Sequence, residues 1–169
     1  MKARGVKGLD PDASFRENAE RMAHVRIDEL WSFGSRALDP DEEEALHDMR
    51  IAAKRLRYLL EITEPCFGAP AKDGAKVARD IQDLLGEIHD CDVMGPRVRA
   101  HVERLRADDV QSILDGTPTR NGPRYRGLET LAAWLEARRR VLHREFVRRW
   151  TALETDGFRE RLERSLEAV

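Results

Sequence analysis

Apolar residues recur along this chain at three- and four-residue intervals, the spacing of amphipathic helices. Asp10-Pro11 reads as a helix start, with Asp10 as N-cap and Pro11 at the first helical position. Phe15, Ala19, Met22, Ala23, Ile27, Leu30 and Trp31 follow as one stripe, predicting a first helix that runs to about Phe33 and is ended by Gly34. Asp39-Pro40-Asp41-Glu42 repeats the signal, with Asp39 as cap, Pro40 at N1 and Glu42 closing something near a capping box. The second helix spans 40–63, stops before Pro65 and is about 35 Å long. A third starts near Ala71 with the stripe Val77, Ile81, Leu84, Leu85 and Ile88, and continues with a kink at Pro96 through Val98, Val102 and Leu105. Gly86 stands inside it. A mid-helix glycine is up to about 1 kcal/mol worse than alanine, so close approach of another helix is its expected reason. Residues 107–127 predict an irregular link rich in Gly and Pro. A fourth helix from near Arg126 carries Leu128, Leu131, Leu135, Leu142, Phe146 and Trp150, widened by Trp134 and Val141. After Gly157, Phe158, Leu162 and Leu166 form a short amphipathic tail.

Runs of Val, Ile, Thr and Tyr of the kind that make strands are missing, so the fold class is all-α, with four long helices arranged as an antiparallel four-helix bundle. At 169 residues the chain is sized for one domain. Residues 1–9 are expected to be a flexible arm and residues 10–169 a single helical domain. Cys66 and Cys91 show no metal-ligand or redox spacing and read as free thiols of a reducing, cytoplasmic compartment. The first residues lead into polar sequence without an apolar stretch, so no signal peptide is expected. No apolar run is long enough to span a membrane.

Charge changes the picture more than composition does. The net charge is −2, so the chain lacks the overall positive charge typical of a nucleic-acid binder. The charges are segregated, however. On a helix at about 100° per residue, His47, Arg50, Lys54 and Arg57 fall within roughly 80° of one another. Met49, Ala52, Ala53, Leu56, Leu59 and Leu60 take the opposite side. A solvated face with salt bridges to its neighbours is the bland alternative. Against it, the row runs without the interleaved i, i+4 acids that usually relieve such repulsion. The third helix offers a shorter row, Lys72, Lys76 and Arg79, followed by Asp83 and Glu87. Arg138 and Arg139 fall at or beside the apolar stripe of the fourth helix, facing a seam or cleft. An uninterrupted cationic row suits an extended anion, and arginine can hold phosphate oxygens in bidentate fashion.

The segment Leu46-His47-Asp48-Met49-Arg50-Ile51-Ala52-Ala53-Lys54-Arg55-Leu56-Arg57-Tyr58-Leu59-Leu60-Glu61 resembles the signature helix of the CHAD family, the conserved histidine α-helical domain. Ile81-Gln82-Asp83-Leu84-Leu85-Gly86-Glu87-Ile88-His89-Asp90-Cys91-Asp92-Val93 is similar to that family's second signature, a Leu-Gly pair followed by an Asp-x-Asp-Val element. The resemblance covers about residues 10–150. It implies basic helices that line a groove, non-catalytic binding of inorganic polyphosphate, and association with polyphosphate granules. By position, His47, Arg50, Lys54 and Arg57 would contact phosphate, with Lys76 and Arg79 beside them. Arg55, Lys72, Arg138 and Arg139 are secondary candidates. No catalytic residue, metal or cofactor is implied. Family members usually carry two such halves, and this sequence shows one, which makes it half of a two-bundle architecture. A homodimer would restore the second half.

Two other functions compete. The His47-Asp48 and His89-Asp90 dipeptides suggest a metal-dependent phosphohydrolase acting on polyphosphate or a triphosphate. Asp48 sits about 100° from His47 on a helix, an awkward angle for a shared metal. Asp90 and Asp92 read more simply as helix-terminal hydrogen-bonding groups or as salt-bridge partners of nearby basic residues. A helical nucleic-acid binder is the other alternative, disfavoured because Trp31, Trp134 and Trp150 fall on apolar stripes and not among the cations. No Walker loop, GxGxxG or Ser/His/Asp order is present.

Overall fold

The computed structural model describes residues 2–167, and these build helices α1 (Phe15–Trp31), α2 (Gly34–Ala37), α3 (Glu43–Phe67), α4 (Ala69–Leu114), α5 (Gly122–Thr155) and α6 (Phe158–Glu167). There is no strand among the described residues. The fold is all-α, with long helices of the kind that make bundles.

Both expected Asp-Pro starts lie one turn before the helix they announce. Asp10 Oδ1 accepts from the Asp12 amide at 3.0 Å, a local turn, and α1 begins after Ser14. Ser14 and Glu17 form a full capping box: Ser14 Oγ accepts from the Glu17 amide at 3.2 Å, and Glu17 Oε2 accepts from the Ser14 amide at 2.8 Å. Two orphan amides are thereby satisfied, where Asp10 could satisfy one. Asp39 repeats the pattern, its Oδ1 accepting from the Asp41 amide at 2.9 Å, and Glu42 becomes the N-cap of α3 without a side-chain cap bond. Gly34 opens α2 instead of ending α1. Pro65 lies inside α3, which reaches Phe67 because that ring is buried, and the positive φ of Gly68 (64°) ends it. Pro96 likewise lies within α4, where buried Val98, Val102 and Leu105 continue the apolar stripe beyond it. The expected link shortens to residues 115–121.

These helices form two compact units. The first holds the described residues up to Gly86 and those from His143 onward. Here α1 packs on α3 and α6, and α2 on α3. Small residues on facing surfaces set the spacing: Ala19 and Ala23 on α1, Ala52 and Ala53 on α3, Ala71, Ala75 and Ala78 on α4 are all buried. Gly74 admits Leu60 of α3 and Leu162 of α6 on its two sides, and Gly34 admits the Trp150 indole. Trp150 is fully buried, 5.0 Å from the Trp31 ring and 6.3 Å from that of Phe146. Gly86, expected to mark a close helix crossing, does not: a Cβ there would meet nothing within 4 Å. Phe15, expected in the stripe of α1, is exposed.

The second unit, residues 87–142, joins the end of α4 to the start of α5. Cys91, Val98 and Leu135 form its core with Leu128, Ala132 and Leu142 packed against them. Two helices bury one seam between them, which leaves Leu131, Trp134 and Val141 outside the stripe, 40%, 53% and 56% exposed. Asp109 ties the link down, accepting from Tyr125 Oη at 2.5 Å and from Asn121 Nδ2 at 2.9 Å. Cys66 and Cys91 are both free. No helix among the described residues is long and apolar enough to cross a membrane.

Candidate functional site

The amphipathic pattern of α3 places the cationic row where the sequence puts it. Ala45, Leu46, Met49, Ala52, Ala53, Leu56 and Leu60 are buried, which turns His47, Arg50, Lys54 and Arg57 to another flank. Of the four, Lys54 is exposed and the others are half-buried. Arg50 and Lys54 form no ion pair among the described residues. Arg50 Nε is shielded from solvent and has no hydrogen-bond acceptor. A shielded guanidinium N–H without an acceptor is costly, and a docking anion would relieve it.

Two residues given no role by the sequence reading shape this face. The Tyr58 ring lies under two cations, with Arg57 Cζ 4.5 Å and Lys54 Nζ 5.8 Å from its centroid. Such contacts hold flexible cations in place. Glu61 joins the two helices: its Oε1 accepts from Arg79 Nη2 of α4 at 2.6 Å and stands 3.5 Å from Arg57 Nε. The hydrogen bond to Glu61, and then its charge, push the Arg79 guanidinium further above its ordinary range. Glu61 follows Arg57 by one helical turn, so its position at the end of the row was readable. That it meets Arg79 depends on helix register and was not.

The structure therefore brings Arg50, Lys54, Arg57 and Arg79 onto neighbouring helices of one unit, beside exposed Lys72 and Lys76, which form no ion pair among the described residues. It does not bring Arg55 there. The Arg55 guanidinium donates to Glu29 Oε1 of α1 at 2.9 Å, and Glu29 is fully buried. Arg26 also donates to Glu29, and the Arg4 amide reaches Oε1 at 3.2 Å. Arg138 and Arg139 belong to the second unit and have carboxylate partners there, Glu87 and Asp92. Arg138 also lies over the exposed Trp134 ring at 5.3 Å, so this tryptophan does stand beside a cation. Among the described residues no three His, Cys, Asp or Glu side chains stand close enough to hold a metal ion.

Comparison with known proteins bears on the family of the chain. The family model for the CHAD domain matches residues 3–99, more than half of the chain. The chain belongs to the CHAD family. The matched residues include all of α3 and the Lys72–Arg79 stretch of α4, and exclude all of α5. The CHAD match thus ends well short of Arg138 and Arg139. An uncharacterized protein of Mycobacterium tuberculosis strain H37Rv is 32% identical over 85 residues, 48% of this chain and 16% of its own length. A second uncharacterized protein, from strain CDC 1551, is 31% identical with the same coverage. The matched segment is thus a small part of either relative. No solved structure matches the chain.

Proposed function

We propose that this CHAD domain binds inorganic polyphosphate, without cleaving it, along the face formed by Arg50, Lys54 and Arg57 of α3 and Lys72, Lys76 and Arg79 of α4, with His47 at the start of the row. The observation that carries the proposal is the ionic accounting of that face. Arg50, Lys54, Lys72 and Lys76 form no ion pair among the described residues. Arg57 and Arg79 share a single carboxylate, Glu61, whereas Arg55, Arg138 and Arg139 each pair with a carboxylate off this row. Two rows of cations on adjacent helices suit a polyanion longer than one phosphate. Trp31 and Trp150 pack against each other at 5.0 Å, and the aromatic of this face, Tyr58, is engaged by Arg57 and Lys54, which leaves a nucleic-acid interface the second reading.

A cytoplasmic protein recruited to polyphosphate granules fits this chemistry. A second copy of the chain would add a second cationic row, so the proposal includes a homodimer. Light scattering that gives a strict monomer with and without polyphosphate would refute the dimer and leave the binding face untouched.

The test is titration of the intact protein with linear polyphosphate at several salt concentrations. Affinity is expected to fall steeply as salt rises, because phosphate contacts release counterions. Arg50→Glu and Lys54→Glu are expected to weaken binding strongly, and Arg161→Glu, exposed on α6, only slightly. Equal losses in all three, or a polyphosphate that is shortened during incubation, would overturn the proposal.

A further inference from the structure

Among the described residues, Glu61 is the one carboxylate tied to these cations by two ion pairs at once. It ends the row on α3, and guanidiniums from two helices aim at the same oxygen, Oε1. It serves them unequally. Arg79 Nη2 lies at 2.6 Å, a strong charge-assisted bond. Arg57 Nε lies at 3.5 Å, beyond ordinary hydrogen-bond range, and is shielded with no acceptor of its own. The Arg57 guanidinium is also held over the Tyr58 ring, so it is fixed in place but incompletely satisfied. A carboxylate tethered to α3 meets one of these donors well. A phosphate group, with its oxygens spread tetrahedrally, can meet both.

We propose that Glu61 is a resident competitor that occupies a phosphate seat between Arg57 and Arg79 and selects for long polyanions over single phosphates. The inference rests on the polyphosphate reading above and adds to it one seat and one specificity residue. A tethered carboxylate competes at high effective concentration. Free orthophosphate, held by this seat alone, loses that competition. A polyphosphate chain anchored on Arg50 and Lys54 presents its next phosphate at a comparable effective concentration, and Glu61 turns out to solvent. The side chain is 34% exposed, so it has somewhere to turn.

The experiment is calorimetric titration of wild type, Glu61→Gln and Arg50→Glu, each with linear polyphosphate and with sodium orthophosphate. Glutamine keeps the shape and removes the charge. In Glu61→Gln, polyphosphate affinity is expected to rise roughly three- to tenfold, the scale of losing one or two surface charge pairs. Orthophosphate, silent with wild type, is expected to give a measurable isotherm. A Glu61→Gln protein with an unchanged circular-dichroism melt that binds polyphosphate no tighter than wild type would overturn the inference alone. Weaker binding would do the same and make Glu61 a positioning residue for Arg79. A folded wild type that ignores polyphosphate would overturn both this inference and the function it rests on. Binding that Arg50→Glu does not reduce would remove the α3 face, and the seat with it.

Discussion

Three glycines that look alike in sequence should respond to alanine in opposite ways. Gly86 lies inside α4 without a positive φ, and a Cβ there meets nothing within 4 Å. Alanine adds no clash and removes unfolded-state freedom, so Gly86→Ala should stabilise by about 0.5–1 kcal/mol. For a chain of this size that is a rise of about 1–4 °C in Tm. Gly34 is the opposite case. A Cβ would stand 2.7 Å from Trp150 Nε1 and 3.0 Å from Cε2 and Cζ2. The indole is rigid, fully buried and wedged between Trp31 and Phe146, so it cannot yield. Overpacking of this kind costs about 1–3 kcal/mol, more than the helix gain returns. Gly74 is intermediate: a Cβ would lie 2.9 Å from the Cδ1 atoms of both Leu60 and Leu162, ends of side chains that can shift a little. The expected order of stability is Gly86→Ala above wild type, then Gly74→Ala, then Gly34→Ala. Urea unfolding followed by both circular dichroism and tryptophan fluorescence measures it, two probes being needed because two compact units can unfold in separate steps. A Gly86→Ala protein as damaged as Gly34→Ala would refute the reasoning, since α4 would then be packed at Gly86 after all.

Two further outcomes test the structural roles of charged groups. Arg55→Met leaves the fully buried Glu29 with Arg26 and the Arg4 amide, and should destabilise by about 3 kcal/mol, the low end for breaking a buried pair. Urea midpoints check this, and the same variant should bind polyphosphate like wild type, because Arg55 points away from the row. In the second unit, burial and then the Asp109 bond push the Tyr125 phenol up to about 12. That bond in turn holds the Asp109 carboxyl below its ordinary range. A phenol raised on folding stabilises fully below its ordinary pKa of 10.0 and loses the effect as pH climbs to about 12. A lowered carboxyl stabilises above its ordinary 3.8 and loses the effect as pH falls. Wild type should therefore exceed Tyr125→Phe in stability at pH 7, with the gap closing in strong alkali and in acid. A gap that stays constant from neutral pH to pH 12 would remove the Tyr125–Asp109 bond from the account.

What the sequence reveals of this protein depends on how local each feature is. The helices are legible because each buries a stripe at helical period, and Val98, Val102 and Leu105 carry that stripe past Pro96 as expected. The first turns are less so. Asp10 and Ser14 are both good caps, and only the reciprocal Ser14–Glu17 pair decides between them. The fourth stripe is too wide as read, since Trp134 and Val141 need a second neighbour that a two-helix unit does not supply. Within the site, the row on α3 follows from angles alone. The meeting of Glu61 with Arg79 does not, because it is fixed by the register of α3 against α4.

Arg55 marks the limit of such a reading most clearly. It adjoins Lys54 in sequence and carries the same charge, yet one residue rotates a helix by about 100°, which carries Arg55 towards α1. Nothing in the sequence marks Glu29 as fully buried, so nothing marks Arg55 as already neutralised. The same holds for Arg139 and Asp92, only 17% and 10% exposed. A net charge of −2 is therefore no argument against a polyanion ligand. Carboxylates such as Glu29, Glu87 and Asp92 are taken up by arginines elsewhere in the fold, and cations left without such partners can form a binding face. On α3 and α4 the proposed face comprises Arg50, Lys54, Lys72 and Lys76, which form no ion pair among the described residues, and Arg57 and Arg79, which share Glu61.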